Sequence, residues 1–269
     1  MDDRRWHRVL RQHVETERLL GLEAVPVGER AAVEVEASGT RSVAEAAPPR
    51  GCVGSVERRE PTDSIRGLQS VVPVGERAAA LAAVEAELAA DERVRVLQPA
   101  GTKLVFGEGS VEAEIMFVGE APGETEDRLG RPFVGPAGEL LDKMIVAMGL
   151  SRQSVYIINT VQFRPPGNRT PTPEETSVCM PYAVRAMEII RPQAIVTLGG
   201  SSTKSLLDTA TGITRLRGQW QMLERVNPPI PLMPTFHPAY LLRSYTKENR
   251  QRVWADLQAV MERVGLKAG

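Results

Sequence analysis

Cysteine is scarce in this sequence, and long apolar runs are absent from it. Cys52 and Cys179 are the two cysteines, and because they lie far apart in unlike contexts they do not indicate a disulfide framework. No apolar run approaches the ~20 residues of a membrane span, and the N-terminus, MDDRRWHRVLRQH, lacks the apolar segment of a secretory signal. Because 42% of the residues are hydrophobic and 25% are charged, as in ordinary globular proteins, we expect a cytoplasmic protein that does not contact membranes.

The net charge of −1 conceals an uneven distribution along the chain. Residues 191–252 hold nine Lys and Arg against three Asp and Glu, a local charge of +6. Residues 253–269 hold two of each sign, so residues 1–190 carry −7. A basic C-terminal part suits a polyanionic partner, because phosphate contacts supply most of the non-specific affinity for nucleic acids. A solvated charged face would have the same composition.

The first 72 residues differ in pattern from the rest of the chain. Residues 5–20 place apolar side chains at roughly helical spacing, and residues 21–70 are rich in Ala, Val, Glu, Pro and Gly without sustained periodicity. We interpret residues 1–72 as an N-terminal extension made of a short helix and a disordered or weakly ordered linker. Residues 73–269 are then the folded domain.

Helical and strand patterns alternate through the folded domain. Strands are predicted at 104–107, 114–119, 155–160, 194–198 and 232–236, and helices at 77–91, 139–148, 173–190, 202–207 and 247–264. This alternation is typical of an α/β protein with a parallel sheet that carries helices on both faces.

The most informative stretch is residues 114–142, EIMFVGEAPGETEDRLGRPFVGPAGELLD. A short uncharged apolar run ends at Gly119, and a turn with Pro and Gly follows it. A second segment rich in Gly and Pro carries one aromatic residue, Phe133, before a helix begins. Loops at the carboxyl ends of parallel strands are where ligands bind in open α/β sheets. The loop lacks the Gly-Lys-Ser/Thr ending of a Walker loop, and a purely structural connection is the remaining alternative.

The same stretch resembles the first signature of the family 4 uracil-DNA glycosylases. The resemblance continues as VYIINTVQFRPPGNRTPTPEE, IVTLGG and MPTFHPAYLLR, in this order, across roughly residues 104–257. It implies a three-layer α/β/α sandwich around a four-stranded parallel sheet, with residues 73–269 as the glycosylase domain. It also implies a monofunctional uracil-DNA glycosylase, which flips uracil out of DNA, hydrolyses its N-glycosidic bond and leaves an abasic site for base excision repair.

A glycosylase needs a plane on which the extruded base stacks, a group that reads its edge, and a group that stabilises its departing charge. Phe133 is the candidate plane, because the matching residue in the family stacks on uracil; a core plug is the alternative. Asn159, at a predicted strand end, is the candidate edge reader, since its amide can donate to uracil O4 and accept from N3–H. His237 is the candidate donor to uracil O2.

The group that activates water is less well defined. In some other uracil glycosylase families an Asp occupies the position of Ala121, which leaves Glu120 as the candidate for orienting water or the loop. The family residue that matches Glu126 borders the uracil ring. Gly119 and Ala121 complete the expected uracil-binding set. Either acid alternatively caps backbone N–H groups.

Two segments are candidates for DNA contact. Apolar wedges flanked by a phosphate-binding Arg are a recurrent device for unstacking a base step. The first segment, Tyr240, Leu241, Leu242 and Arg243, is such an apolar tip. The second segment, residues 165–169 with Pro165 and Arg169, is a candidate clamp on the DNA backbone.

The chain departs from the family at its iron–sulfur site. Most family 4 enzymes hold a [4Fe–4S] cluster on four cysteines, and the first pair falls here near Asp91 and Val94. Phe163 stands at the third position, and Cys179 alone remains. One thiolate cannot hold a cluster that needs four, so we predict no cofactor and no metal, with local packing in place of the cluster.

Two other interpretations remain open at this point, and a third is disfavoured. A non-catalytic relative would recognise uracil or damaged DNA and recruit repair partners through residues 1–72. A nucleotide-binding α/β domain unrelated to repair would share the alternation of strands and helices. A covalent uracil-trapping relative is disfavoured, because no insertion resembles the trapping loop of that group. In each DNA-directed case we expect a monomer whose partner is uracil-containing DNA, and an unknown protein as partner of the extension.

Overall fold

The computed structural model describes residues 72–266. The predicted helix at residues 5–20, the linker that follows it and Cys52 lie outside the described residues. The division of the chain at residues 72 and 73 therefore stays a prediction.

Six strands form one sheet, in the order β1–β3–β2–β4–β6–β5. The strands are β1 (Gly107–Gly109), β2 (Ile115–Gly119), β3 (Tyr156–Asn159), β4 (Ala194–Leu198), β5 (Gln221–Leu223) and β6 (Ile230–Thr235). The four central strands β3, β2, β4 and β6 are parallel, as predicted. The sheet is nevertheless mixed, because β1 and β5 pair antiparallel at its two edges. Each edge strand has three residues, too short to show a periodic pattern.

Nine α-helices connect and flank these strands in residues 72–266. They are α1 (Val74–Ala90), α2 (Glu92–Leu97), α3 (Glu124–Leu129), α4 (Pro136–Ala147), α5 (Pro173–Ile190), α6 (Gly200–Leu207), α7 (Ile213–Leu216), α8 (Pro238–Arg243) and α9 (Lys247–Arg263). Within this part of the chain, none has the length and apolar character that crossing a bilayer requires.

Local sequence explains where the longest helix begins. The Thr172 hydroxyl accepts from the backbone N–H of Glu175, and the Glu175 carboxylate accepts from the backbone N–H of Thr172. This capping box satisfies two N–H groups that a helix start leaves without partners. Pro173 at the first helical position has its backbone angle already set for the helix. Helix α5 therefore occupies the residues that the sequence predicts.

Two expected boundaries were wrong. Residues 120–135 were expected to form one loop, but helix α3 lies within it and ends at Gly130, whose φ of 71° is the left-handed conformation that terminates helices. The strand expected at 104–107 is instead β1 at Gly107–Gly109. A helix of six residues and a strand of three are both too brief for periodicity to distinguish them from loop.

Two apolar clusters lie on opposite faces of the sheet. Successive side chains of a strand point to opposite faces, and in β2 Met116 and Val118 belong to one cluster while Ile115 and Phe117 belong to the other. Helices α1 and α5 contribute to the first cluster, and α4 and α9 to the second. This arrangement confirms the three-layer α/β/α sandwich.

Candidate functional site

A cavity of about 490 Å³ opens at the carboxyl ends of the parallel strands. The strands end together, because Gly119 of β2 pairs with Asn159 of β3 and Leu198 of β4 pairs with Thr235 of β6. The predicted residues that line the cavity are Glu120, Ala121, Glu126, Phe133, Asn159, Pro165, Arg169, His237 and Arg243. Residues that are far apart in sequence thus meet in one site, as expected for strand ends of a parallel sheet.

Several lining residues were not predicted. They include Gly199 and Gly200, which border the cavity between β4 and α6. Asn168, which belongs to the segment predicted as a backbone clamp, borders it from the loop before α5. The sequence signal for the first two was the Gly-Gly pair directly after a buried strand, which was interpreted as a turn. Because β4 is parallel to β2 and β3, its carboxyl end lies at the same edge of the sheet and could have been predicted to line the site.

Gly119 lets the aromatic and amide groups approach the same backbone. A Cβ atom on residue 119 would stand 2.5 Å from Cε2 and Cζ of the Phe133 ring, and it would also collide with Oδ1 of Asn159. No other residue type leaves this space free. Gly119 therefore contributes to the site through the side chain that it lacks.

Phe133 serves both the core and the cavity. Its side chain is 5% exposed and packs in the cluster that α4 and α9 share. Its ring also borders the cavity and lies 5.7 Å from the His237 ring, with 33° between the two planes. The backbone at Phe133 has a φ of 49°, an unusual value for a bulky residue. Phe133 can therefore fill part of the core and also offer its ring to a ligand in the cavity.

Asn159 carries a buried oxygen that lacks a partner in the described structure. The residue is 1% exposed, and its Oδ1 accepts no hydrogen bond from any described residue. Its backbone carbonyl accepts from Nε2 of Gln162 at 2.8 Å, which fixes the chain at this point. An unpaired buried carbonyl oxygen is costly unless a ligand supplies the missing donor. Oδ1 is therefore a ready acceptor at the wall of the cavity.

His237 is held in one neutral form. Its Nδ1 accepts from the backbone N–H of Ala239 at 3.0 Å, so that in the neutral ring the proton sits on Nε2. Burial, together with the positive charge of Arg243, lowers the pKa of His237 to about 4. At neutral pH the ring is an uncharged N–H donor that faces the cavity.

We expect this shift to be visible in solution. By NMR, the ring of His237 should titrate near pH 4, well below the ~6.5 of an unperturbed histidine, and remain neutral from pH 6 to 8. Because the folded-state pKa is lowered, the unfolded chain takes up a proton first. The contribution of His237 to stability is therefore lost as pH falls from about 6.5 towards 4. Titration at about 6.5 would show that the ring is solvated.

The two acidic residues of the loop have different surroundings. Glu126 accepts from the backbone N–H groups of Val134 and Gly135 at 2.9 and 2.7 Å, so it caps the start of α4 while it lines the cavity. Oε1 of Glu120 is buried and has no partner in the described residues. Of the two carboxylates, Glu120 is the one with a buried oxygen that no described residue contacts by a hydrogen bond.

The DNA-contact candidates divide into exposed and buried side chains. Tyr240 and Leu242 are 38% and 45% exposed, and Arg243 lies at the cavity mouth. Leu241 is 1% exposed, so its predicted place in an exposed tip was wrong. All four residues belong to α8, which packs on α4 and directs Leu241 into the core.

The second candidate segment is already engaged within the chain. Both terminal nitrogens of Arg169 donate to the Glu175 carboxylate at 2.8 Å, and this bidentate pair ties the loop to the start of α5. Pro165 is buried at the cavity wall. Arg169 therefore supports the loop, and a contact with a DNA phosphate would share its guanidinium with Glu175.

The positions that match the cluster ligands lie together but form a packed core. Val94, Phe163 and Cys179 are fully buried in one apolar cluster. The Asp91 carboxylate accepts from the Tyr182 hydroxyl at 2.7 Å and pairs with Arg93. Burial raises the pKa of the Cys179 thiol to about 11, which disfavours the thiolate that iron requires. These residues do not fit a [4Fe–4S] cluster, and residues 72–266 contain no group of three potential metal ligands.

Comparison with known proteins places these features in context. The profile of the Uracil DNA glycosylase superfamily matches residues 106–258. The chain is 45% identical over 161 residues to the Type-4 uracil-DNA glycosylase of Thermotoga maritima. The aligned region covers 58% of this chain and 81% of that relative. It is 43% identical over 170 residues to the Type-4 uracil-DNA glycosylase of Archaeoglobus fulgidus, covering 62% of this chain and 84% of the relative. The matched segment includes every cavity residue described above.

Proposed function

The chain belongs to the uracil-DNA glycosylase superfamily, and we propose that it hydrolyses the N-glycosidic bond between uracil and deoxyribose in DNA. The observation that carries the proposal is the grouping of Asn159, Phe133 and His237 around one cavity. The unpaired buried oxygen of Asn159 calls for a ligand with a hydrogen-bond donor, and the N3–H of uracil is such a donor.

Recognition of the base follows from these three side chains. A uracil extruded from the duplex would stack on Phe133, with its N3–H donating to Oδ1 of Asn159 and its O4 accepting from the amide nitrogen. Cytosine has an acceptor at N3 and an amino group at C4, so both contacts would become mismatched. Sites built on such pairs reject the wrong ligand by ~10⁴ or more in good cases.

Bond cleavage follows from the same geometry. As the bond between C1′ and N1 lengthens, the sugar gains oxocarbenium character and the uracil gains negative charge. The neutral His237 would donate its Nε2–H to O2, where part of that charge develops. A water oriented by Glu120 adds its oxygen to C1′ and releases a proton, and the uracil anion takes up a proton. The products are free uracil and an abasic site, the substrate of later base excision repair steps.

DNA binding would use the rim of the cavity. Tyr240 and Leu242 are exposed apolar side chains beside Arg243, an arrangement suited to occupying the gap left by an extruded base. Lysine is not among the cavity residues, so a Schiff base with the abasic sugar has no nucleophile in the described site. We therefore propose a monofunctional enzyme.

The direct test is cleavage of an end-labelled oligonucleotide that contains one uracil. After incubation with the protein and treatment with alkali, we expect one strand break at the uracil and none in the matching cytosine oligonucleotide. If the protein binds the uracil oligonucleotide selectively but yields no break, the non-catalytic interpretation replaces this one. Equal binding to both oligonucleotides without cleavage would contradict uracil recognition altogether.

We further propose that activity does not require an iron–sulfur cluster. The buried apolar core that contains Val94, Phe163 and Cys179 would stabilise the region that the iron–sulfur cluster occupies in most of the family. The active protein is expected to be colourless, with no absorbance band near 400 nm, and to keep its cleavage rate after treatment with an iron chelator. A brown protein that loses activity with its colour would disprove this proposal.

A further inference from the structure

The backbone conformation of Phe133 needs support from outside its own loop. A φ of 49° is rare for an aromatic residue, because its Cβ crowds the backbone there. Conformations of this kind persist where surrounding contacts hold them, and they cluster at functional sites. The contacts around Phe133 therefore indicate what keeps its ring in place.

Arg152 supplies these contacts from the loop before β3. Its Nη1 donates to the carbonyl oxygen of Phe133 at 2.9 Å, and its Nη2 donates to the carbonyl oxygen of Pro132. The same guanidinium pairs with Glu108 at 2.5 Å and with Asp142 at 2.8 Å. The Arg152 side chain is 13% exposed and that of Glu108 is 22% exposed, so solvent screens their contact less than it screens the contact with Asp142, which is 44% exposed. The planar guanidinium has five N–H donors, which allows it to bond to two carbonyl oxygens and two carboxylates at once.

The opposite side of the loop is held in a complementary way. Glu126 accepts from the N–H groups of Val134 and Gly135, directly after Phe133. Arg152 thus binds the carbonyl groups that flank the ring on one side, and Glu126 binds the N–H groups on the other. Gly138 leaves room for the Phe133 carbonyl, where a Cβ atom would collide with it.

We propose that Arg152 is a positioning residue, which sets the plane of Phe133 before the base arrives. The inference rests on the proposed function of the cavity, since it assigns the ring to an incoming uracil. A ring held in advance loses little freedom on binding, and small errors in its placement weaken a stacked complex. Without Arg152, the two carbonyl groups lose their charged donor and the left-handed backbone loses its main support.

Arg131 provides a matched control. It pairs with the same Glu108 carboxylate at 2.7 Å, but its side chain is 58% exposed. In the described part of the chain its hydrogen bonds go to Glu108 and to no backbone oxygen. Arg131→Gln therefore removes a positive charge from the same ion-pair network and leaves the Phe133 carbonyl in contact with Arg152.

The test is a double-mutant cycle on binding. Its ligand is an oligonucleotide with 2′-fluoro-2′-deoxyuridine, whose electron-withdrawing fluorine slows bond cleavage, and the reference ligand carries cytosine. We expect Arg152→Gln to weaken uracil-selective binding about tenfold, a coupling typical of residues in one network. In a Phe133→Ala background the same change should cost less than about twofold, and so should Arg131→Gln in the wild-type background.

Two further measurements complete the test. Thermal unfolding shows which variants are folded. If Arg152→Gln does not fold, Arg152→Lys replaces it in the double-mutant cycle, because a single ammonium group cannot reach all four acceptors. An equal loss in the presence and absence of the Phe133 ring would overturn the positioning role. Cleavage of the plain uracil oligonucleotide by the wild-type protein is scored separately. A failure there rejects the proposed function, while the binding cycle still decides the role of Arg152.

Discussion

Asn159→Ala is expected to lower kcat/KM for uracil-containing DNA by about 10³-fold or more. The change removes the acceptor for N3–H and the donor to O4 together, and the base would then be held by stacking alone. Removal of one well-placed polar group in such a site costs about 10²–10³ in rate, and sites built on paired polar contacts discriminate by ~10⁴–10⁵. Single-turnover cleavage of the one-uracil oligonucleotide measures the effect.

An isosteric variant separates chemistry from packing at this position. Asn159→Asp keeps the shape of the side chain and its acceptor oxygen, but it loses the amide donor and adds negative charge beside a base that becomes anionic. We expect a loss of similar size. Asn249, which is also buried but lies on α9 and donates to Ser244, serves as the comparison for the cost of removing an interior amide. If Asn159→Asp retained wild-type activity, the amide donor of Asn159 would not contribute to uracil recognition.

His237→Ala is expected to reduce the rate of bond cleavage by about 10²–10³-fold while it changes uracil-DNA affinity by about threefold or less. The reason is that the proposed hydrogen bond to O2 strengthens as negative charge develops, so it stabilises the transition state more than the bound substrate. Single-turnover rates at saturating enzyme report cleavage, and binding of the fluorinated oligonucleotide reports affinity. A large loss of affinity with an unchanged cleavage rate would assign His237 to binding.

A second substitution controls for the structural role of His237. Its Nδ1 caps helix α8 by accepting from Ala239, so His237→Ala also removes a cap, which costs about 1 kcal/mol in typical helices. Asparagine is a good cap but has a shorter side chain without the ring N–H. We expect His237→Asn to unfold at nearly the wild-type temperature and to be as inactive as His237→Ala. Recovery of activity in the asparagine variant would mean that the cap, and not the donor, limits catalysis.

Three cavity residues were predictable because each lies at, or shortly after, the end of a strand whose pattern is unambiguous. Gly119 and Asn159 are the last residues of β2 and β3, and His237 follows the end of β6 by two residues. All three strands are largely buried. Parallel strands align their carboxyl ends at one edge of the sheet, so residues at these ends converge whatever the details of packing. Their roles came from resemblance to the glycosylase family, since an Asn at a strand end is by itself more often part of a turn.

What the sequence alone determined is therefore the order of the elements and the edge of the sheet where the site forms. Apolar periodicity and helix caps involve residues close together in the chain, so both can be recognised in the sequence alone. Only the tertiary structure decided that Leu241 is buried against α4, that Glu126 accepts from the N–H groups after Phe133, and that Arg152 reaches the carbonyl of Phe133. These contacts depend on which surfaces meet after the layers pack, and no short-range pattern encodes the partner.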